Sequence, residues 1–172
     1  MPEAERAAKI ILWRAYVPRW AYDPLSGEGA ARFGGRWNPV GERCIYAARE
    51  PSTAWAEYNQ GLVQHPALIA QLVLANARLA DLTQDAELAR ERDDTGILTV
   101  QWRADLDAGK MPATHTLALR LKASSYDGVI YPSFMSRGGS CVALWRWNGE
   151  GEPRLTAVDP EGRLPKGPAS WM

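Results

Sequence analysis

Hydrophobic and polar positions divide this chain into short β-like runs alternating with helical stripes. Ile10 to Tyr16 reads Ile-Ile-Leu-Trp-Arg-Ala-Tyr, which predicts a strand carrying one charge, Arg14, between apolar neighbours. Cys44 to Ala48 predicts a second, shorter strand. Pro51-Ser52 then opens a helix with Ser52 as N-cap, and Ala54, Tyr58, Gly61 and Leu62 share one face of it. Glu57 falls inside that stripe, an unusual place for a carboxylate unless it is an edge position reaching water. Leu68 to Leu74 and Leu79 to Leu82 predict strands, and Gln84 to Arg92 and Ile97 to Ala108 predict helices. Thr114 to Ser124 fits either period. A helix is expected there, because Thr114 can cap it and Ser124 to Gly128 can end it. Gly128 to Tyr131 and Cys141 to Trp147 predict strands around the loop Pro132 to Gly139, with one more near Leu155 to Val158. The order predicts one α/β (α+β) domain over residues 1–172, with a mixed, mostly antiparallel or split sheet, a core at 10–158 and a Gly/Pro-rich tail at 148–172.

Between the first two strands lies Pro18 to Gly41, read as a loop with five glycines, three prolines and three arginines. Loops beyond about 15 residues without secondary structure are usually functional or disordered. Trp20, Tyr22, Phe33 and Trp37 argue against disorder, so an ordered binding loop is expected. Lys plus Arg and Asp plus Glu both number 20, so bulk electrostatics recruit neither nucleic acid nor an anionic membrane. Residues 1–49 hold eight Lys/Arg against five Asp/Glu, which suits an anionic small molecule or is scatter in surface charge. Cys44 and Cys141 lack metal or disulfide spacing and are expected as buried free thiols, so no metal is expected. The start, Met1 to Lys9, has no secretion-type apolar stretch. The longest apolar run, Ala67 to Ala75, falls far short of the roughly 20 residues a membrane helix needs. A cytoplasmic protein is the expectation.

Four features could carry chemistry: Arg14; Phe33-Gly34-Gly35-Arg36-Trp37-Asn38; the pair Tyr46 and Glu57; and Tyr131-Pro132-Ser133 followed by Arg137-Gly138-Gly139. The glycines before Arg36 allow a close backbone approach or a turn with positive φ. Arg36 offers a planar fork suited to phosphate or carboxylate, and Trp37 and Asn38 could add a stacking face and an amide. The plainer reading is a glycine turn with a surface Arg. Gly27-Glu28-Gly29 lacks the third glycine and the strand–helix context of a dinucleotide fingerprint. His65 and His115 stand alone, and no nucleophile-elbow pattern supports a Ser–His–Asp hydrolase.

Together these segments resemble the RES domain family, named for an Arg, a Glu and a Ser. The resemblance is carried by Trp13-Arg14, by Asp23 through Ala30, and by Gly34-Gly35-Arg36-Trp37-Asn38-Pro39-Val40-Gly41. Ile45-Tyr46-Ala47, Ala54-Trp55-Ala56-Glu57, Asp127 through Ser133 and Gly138 through Leu144 extend it over roughly residues 10–147. One departure is the bulk of Phe134-Met135 after the Pro-Ser step.

The resemblance implies a fold similar to ADP-ribosyltransferase toxins, with NAD⁺ as substrate. It also implies a toxin neutralised by a helix-turn-helix antitoxin, with a homodimer within the complex as a further possibility. Activities attributed to the family are NAD⁺ hydrolysis, NAD⁺ phosphorolysis and ADP-ribosylation of a protein. The site set it implies is Arg14, Arg36, Tyr46, Glu57 and Ser133. Arg14 and Arg36 would hold the diphosphate, Tyr46 would stack on nicotinamide, and Ser133 would hydrogen-bond ribose or the nicotinamide amide. Glu57 would stabilise the oxocarbenium-like ribose or serve as general base. Two readings from other classes stand beside it. One is a single-stranded nucleic-acid binder using Arg19, Arg32, Arg36, Trp20 and Trp37. The other is an interaction module with Trp145, Trp147 and Trp171 exposed, against which core packing of Trp145 and Trp147 is the favoured view.

Overall fold

The computed structural model describes residues 7–61 and 63–171. Seven strands join in one sheet of order β4-β5-β6-β2-β1-β3-β7, in which only β4 (Leu79–Asp81) and β5 (Gly128–Pro132) run parallel. The sheet nearly divides in the middle. β1 (Ala7–Tyr16) pairs with β3 (Leu68–Ala77) from Ala7 to Tyr16, yet meets β2 (Ile45–Ala48) only at Trp13 and Ala48. β6 (Ser140–Leu144) pairs with both β2 and β5, and β7 (Arg154–Ala157) closes the far edge on β3. The mixed, largely antiparallel α/β arrangement expected from the hydrophobic pattern is present.

Period-two alternation gives each central strand two apolar faces. Val129, Tyr131, Cys141 and Ala143 point to one cluster with Leu117, Ala118 and Leu121 of the helix α5 (Ala113–Ala123). Ile130, Val142, Leu144, Ile45 and Ala47 point to the other, where Leu12, Leu72, Leu155 and Trp147 pack. With both faces covered, the central strands read as nearly continuous apolar runs.

Several expectations need correction. Within Pro18 to Gly41 the chain forms a 3-10 turn at Pro18–Trp20 and a helix, α1 (Glu28–Phe33), where no secondary structure was expected. Ala30 and Ala31 favour it, and Gly34 at φ 71 ends it with its N–H on the Ala30 carbonyl. The helix α2 (Pro51–Asn59) has Glu50, not Ser52, at the N-cap, because Pro51 takes the first helical position. It stops before Gly61, and Leu62 lies outside the described residues. Helix α3 (Ala86–Thr95) is capped by the Asp85 carboxylate, which accepts from the Glu87 and Leu88 amides. The expected helix Ile97–Ala108 reduces to α4 (Trp102–Asp107), because Gly96 at φ 58 ends α3 and the chain to Gln101 runs as turns. Thr114 does not cap α5; Pro112 holds that position and Thr114 is buried. β6 ends at Leu144 rather than Trp147.

Candidate active site

Arg14 lies beside the one contact between β1 and β2, where the half-sheets part. Its Nη1 donates to the Pro24 carbonyl at 2.7 Å, and its charge lies 5.9 Å from the Tyr16 ring centre. Burial lowers its pKa, while the charges of Tyr16, Cys44 and Asp23 act the other way. Guanidinium keeps its proton regardless.

The turn after α1 delivers Arg36. Gly35 and Asn38 form an isolated antiparallel bridge, the Gly35 N–H donating to the Asn38 carbonyl at 2.9 Å, so Arg36 and Trp37 occupy the tip. Arg36 Nη1 donates to the Leu98 carbonyl at 3.0 Å. Gly35 is required for space: a Cβ there would lie 2.5 Å from the Tyr46 hydroxyl and 2.8 Å from Asn38 Oδ1. His115, buried on α5, bonds the Gly35 carbonyl through Nε2 at 2.8 Å. Its role is structural.

Trp37 and Asn38 do not face a ligand, contrary to the stacking-and-amide expectation. Both are fully buried. The Asn38 amide donates to the carbonyls of Ala30, Pro39 and Glu42, and its Oδ1 accepts the Tyr46 hydroxyl at 2.7 Å. Trp37 packs against Tyr131 with ring centroids 5.3 Å apart, and its backbone N–H donates to the Tyr46 hydroxyl at 2.8 Å. Tyr46 thus binds the turn with its hydroxyl and leaves its ring to line the cavity. Burial, aided by Cys44 and Tyr131, drives its pKa well above the ordinary phenol value.

Glu57 sits on α2, which packs mainly on β1. Its Oε1 accepts the Ser133 hydroxyl at 2.6 Å and the amides of Phe134 and Met135 at 3.0 and 3.2 Å. Backbone makes the last two bonds, so the bulk of Phe134 and Met135 leaves the geometry intact. Ser133 accepts in turn from the Ser136 amide at 2.9 Å. Its single hydroxyl proton is directed to Glu57. Cys141 adjoins this corner with a pKa pushed up to about 12, chiefly by burial and further by the Glu57 charge.

Arg14, Arg36, Tyr46 and Glu57 all line one cavity of about 590 Å³, within the roughly 300–1,000 Å³ of small-molecule sites. Ser133 lines a smaller adjoining recess of about 80 Å³ that shares Arg36 and Glu57. Three residues far apart in sequence therefore converge with the acid. One wall is Leu98 to Arg103, the connection between α3 and α4 and the start of α4. Sequence reasoning missed it by starting a helix at Ile97, five residues before α4 begins; the β-branched Ile97, Thr99 and Val100, poor helix formers, were the signal available.

A family model described as RES domain matches residues 11–167. The chain belongs to the RES domain family. A similar solved structure is that of the M. tuberculosis MbcT–MbcA toxin–antitoxin complex, 19% identical, with a TM-score of 0.58, covering 90% of this chain and 87% of that one. A comparison with curated proteins finds no match. In this RES domain Trp37 cannot serve as a stacking platform for single-stranded nucleic acid, and Trp145 and Trp147 are buried rather than part of an exposed patch. The Trp171 side chain lies outside what the structure describes. Among the described residues no helix is long and apolar enough to cross a membrane, and no three His/Cys/Asp/Glu are grouped to hold a metal.

Proposed function

We propose that this RES domain is an enzyme that cleaves NAD⁺ at the nicotinamide–ribose bond, acting as the toxin of a cytoplasmic toxin–antitoxin pair. One observation carries the reading. The cavity's charged lining is Arg14, Arg36, Arg103 and Glu57, and among the described residues none of the three guanidiniums pairs with a carboxylate. Two net positive charges in a half-enclosed site match a dianionic diphosphate, and the lone acid matches the positive charge that develops on ribose.

Each residue then has a task. Arg14 and Arg36 hold the diphosphate with the donors their carbonyl partners leave free. The Tyr46 ring stacks on nicotinamide while its hydroxyl stays on Asn38. Glu57 Oε1 is fixed by three donors, so Oε2 is the oxygen that meets the ribose hydroxyl and the oxocarbenium-like carbon. The C–N bond breaks with its electron pair leaving on neutral nicotinamide, and the acceptor closes on the cation. Ser133 supports this by orienting Glu57 rather than by forming a covalent bond.

The toxin assignment draws on the family and on the similar structure, which is that of a toxin–antitoxin complex. It carries a partner with it: a helix-turn-helix antitoxin that blocks the cavity, in an assembly where two copies of this chain could meet. Water, phosphate and a protein side chain are the candidate acceptors of ADP-ribose. The deciding experiment incubates the purified chain with NAD⁺, with and without phosphate and with cell lysate, and identifies products by mass spectrometry. Free nicotinamide with ADP-ribose, its 1-phosphate or a modified protein supports the reading, and intact NAD⁺ with a folded protein rejects it.

A further inference from the structure

Each arginine lining the cavity donates to a neutral oxygen: Arg14 to the Pro24 carbonyl, Arg36 to the Leu98 carbonyl and Arg103 to Gln60 Oε1. Elsewhere the fold pairs Arg43 with Glu28, Arg92 with Asp93, Arg120 with Glu91 and Arg146 with Asp127, while Arg78, like the cavity arginines, donates to a carbonyl, that of Ser124. A guanidinium bonded once to a carbonyl-type oxygen keeps both its charge and most of its donors available.

Arg103 differs from the other two in how lightly it is held. Its bond to Gln60 is the longest of the three, 3.3 Å against 2.7 and 3.0 Å, and both partners are exposed. Exposed residues that line a cavity stand at its opening. The Arg103 guanidinium also lies 5.0 Å from the ring centre of Trp102, another lining residue, which keeps it beside that opening.

Gln60 is the second observation. It is the C-cap of α2, the helix that carries Glu57, and it holds φ 47. Glycine is the usual residue there, since a side chain in the left-handed region is strained. In that conformation Gln60 presents its amide to the cavity opening, where Oε1 accepts the hydrogen bond from Arg103.

We propose that Arg103 is a third phosphate-binding guanidinium of this cavity, parked on Gln60 and transferred to the diphosphate when an anionic ligand enters. For the identity of that ligand the proposal rests on the NAD⁺ reading. Arg36 donates to the Leu98 carbonyl at one end of the Leu98–Arg103 wall and Arg103 stands at its other end, so both guanidiniums line the same cavity.

The test is calorimetric binding of inorganic pyrophosphate to the full chain, with NAD⁺ consumption followed in parallel. Arg103→Ala should weaken pyrophosphate binding about tenfold and reduce its salt dependence, the effect of one charge-assisted hydrogen bond. Arg103→Lys should recover part of the affinity. Gln60→Gly, which relaxes the backbone and removes the parking oxygen, should bind at least as tightly as the wild type. Arg154→Ala, on the exposed edge strand β7, controls for net charge and should leave affinity unchanged. Equal affinity in wild type and Arg103→Ala, absence of pyrophosphate binding by the wild type, or an Arg154→Ala loss as large as that of Arg103→Ala overturns the proposal. So does a Gln60→Gly loss of that size. A protein that binds pyrophosphate through Arg103 but leaves NAD⁺ intact keeps the proposal and removes only the NAD⁺-cleavage reading. On NAD⁺ itself the Arg103→Ala defect should appear in KM more than in kcat.

Discussion

The Ser133 hydroxyl donates to Glu57 Oε1 across 2.6 Å, joining the β5–β6 connection to α2. Two backbone amides converge on the same oxygen, so the acid enters the cavity in one orientation. Fixed geometry of this kind is what electrostatic stabilisation of a short-lived cation requires.

Glu57→Gln should keep the fold and NAD⁺ binding, since an amide oxygen can still accept the three donors. Turnover should fall by about 10²–10³, the usual loss when one transition-state contact is removed. Nicotinamide release beside a thermal melt checks this, and wild-type-like consumption would take Glu57 out of the mechanism.

Ser133→Ala removes one donor but leaves the two amides. A loss near tenfold in kcat, smaller than for Glu57→Gln, is expected from a hydrogen bond to a charged group worth about 1.5–3 kcal/mol, partly taken over by water. A loss as large as that of Glu57→Gln would instead argue that Ser133 touches the substrate.

Arg36→Ala should act mainly on binding. Its guanidinium is the one fixed between the glycine turn and the Leu98 wall, so NAD⁺ affinity measured by calorimetry should drop by about tenfold or more, as one charge-assisted contact is lost. Unchanged affinity contradicts the diphosphate assignment.

Two glycine substitutions should part company. Gly35→Ala forces a Cβ to 2.5 Å from the Tyr46 hydroxyl and should destabilise by about 1–3 kcal/mol. For a chain of this length that is about 2–4 °C in Tm per kcal/mol. Gly29→Ala, inside α1 with nothing within 4 Å, should be neutral or stabilise by up to about 1 kcal/mol. Differential scanning calorimetry of both variants decides.

Alkaline pH should weaken the fold through its thiols. Burial pushes Cys44 and Cys141 up from 9.0 to about 12, so the native state keeps protons that the unfolded chain releases. The stability from each raised pKa is present below pH 9 and lost as pH rises toward 12, by about 1.4 kcal/mol per pH unit per thiol. Urea titrations between pH 8 and 10.5 should show falling stability, and Cys44→Ala with Cys141→Ala should flatten that slope. A flat wild-type profile would be inconsistent with this.

Local pattern determined a good deal of this protein. Near-continuous apolar runs at Ile10–Tyr16 and around Val129 and Val142 marked the strands, because a strand covered on both faces is apolar at neighbouring positions. The odd placement of Arg14 and Glu57 among apolar neighbours also marked them without any coordinates. Tertiary structure alone decided which chemistry was free. Trp37 and Asn38 looked like ligand groups beside Arg36, yet burial beneath the turn turned them into its support. The Ser133 hydroxyl donates to an acid 76 positions away, and the Leu98–Arg103 wall forms where the chain runs as turns into α4. These outcomes depend on contacts between residues distant in sequence, and no short-range periodicity encodes where such partners meet.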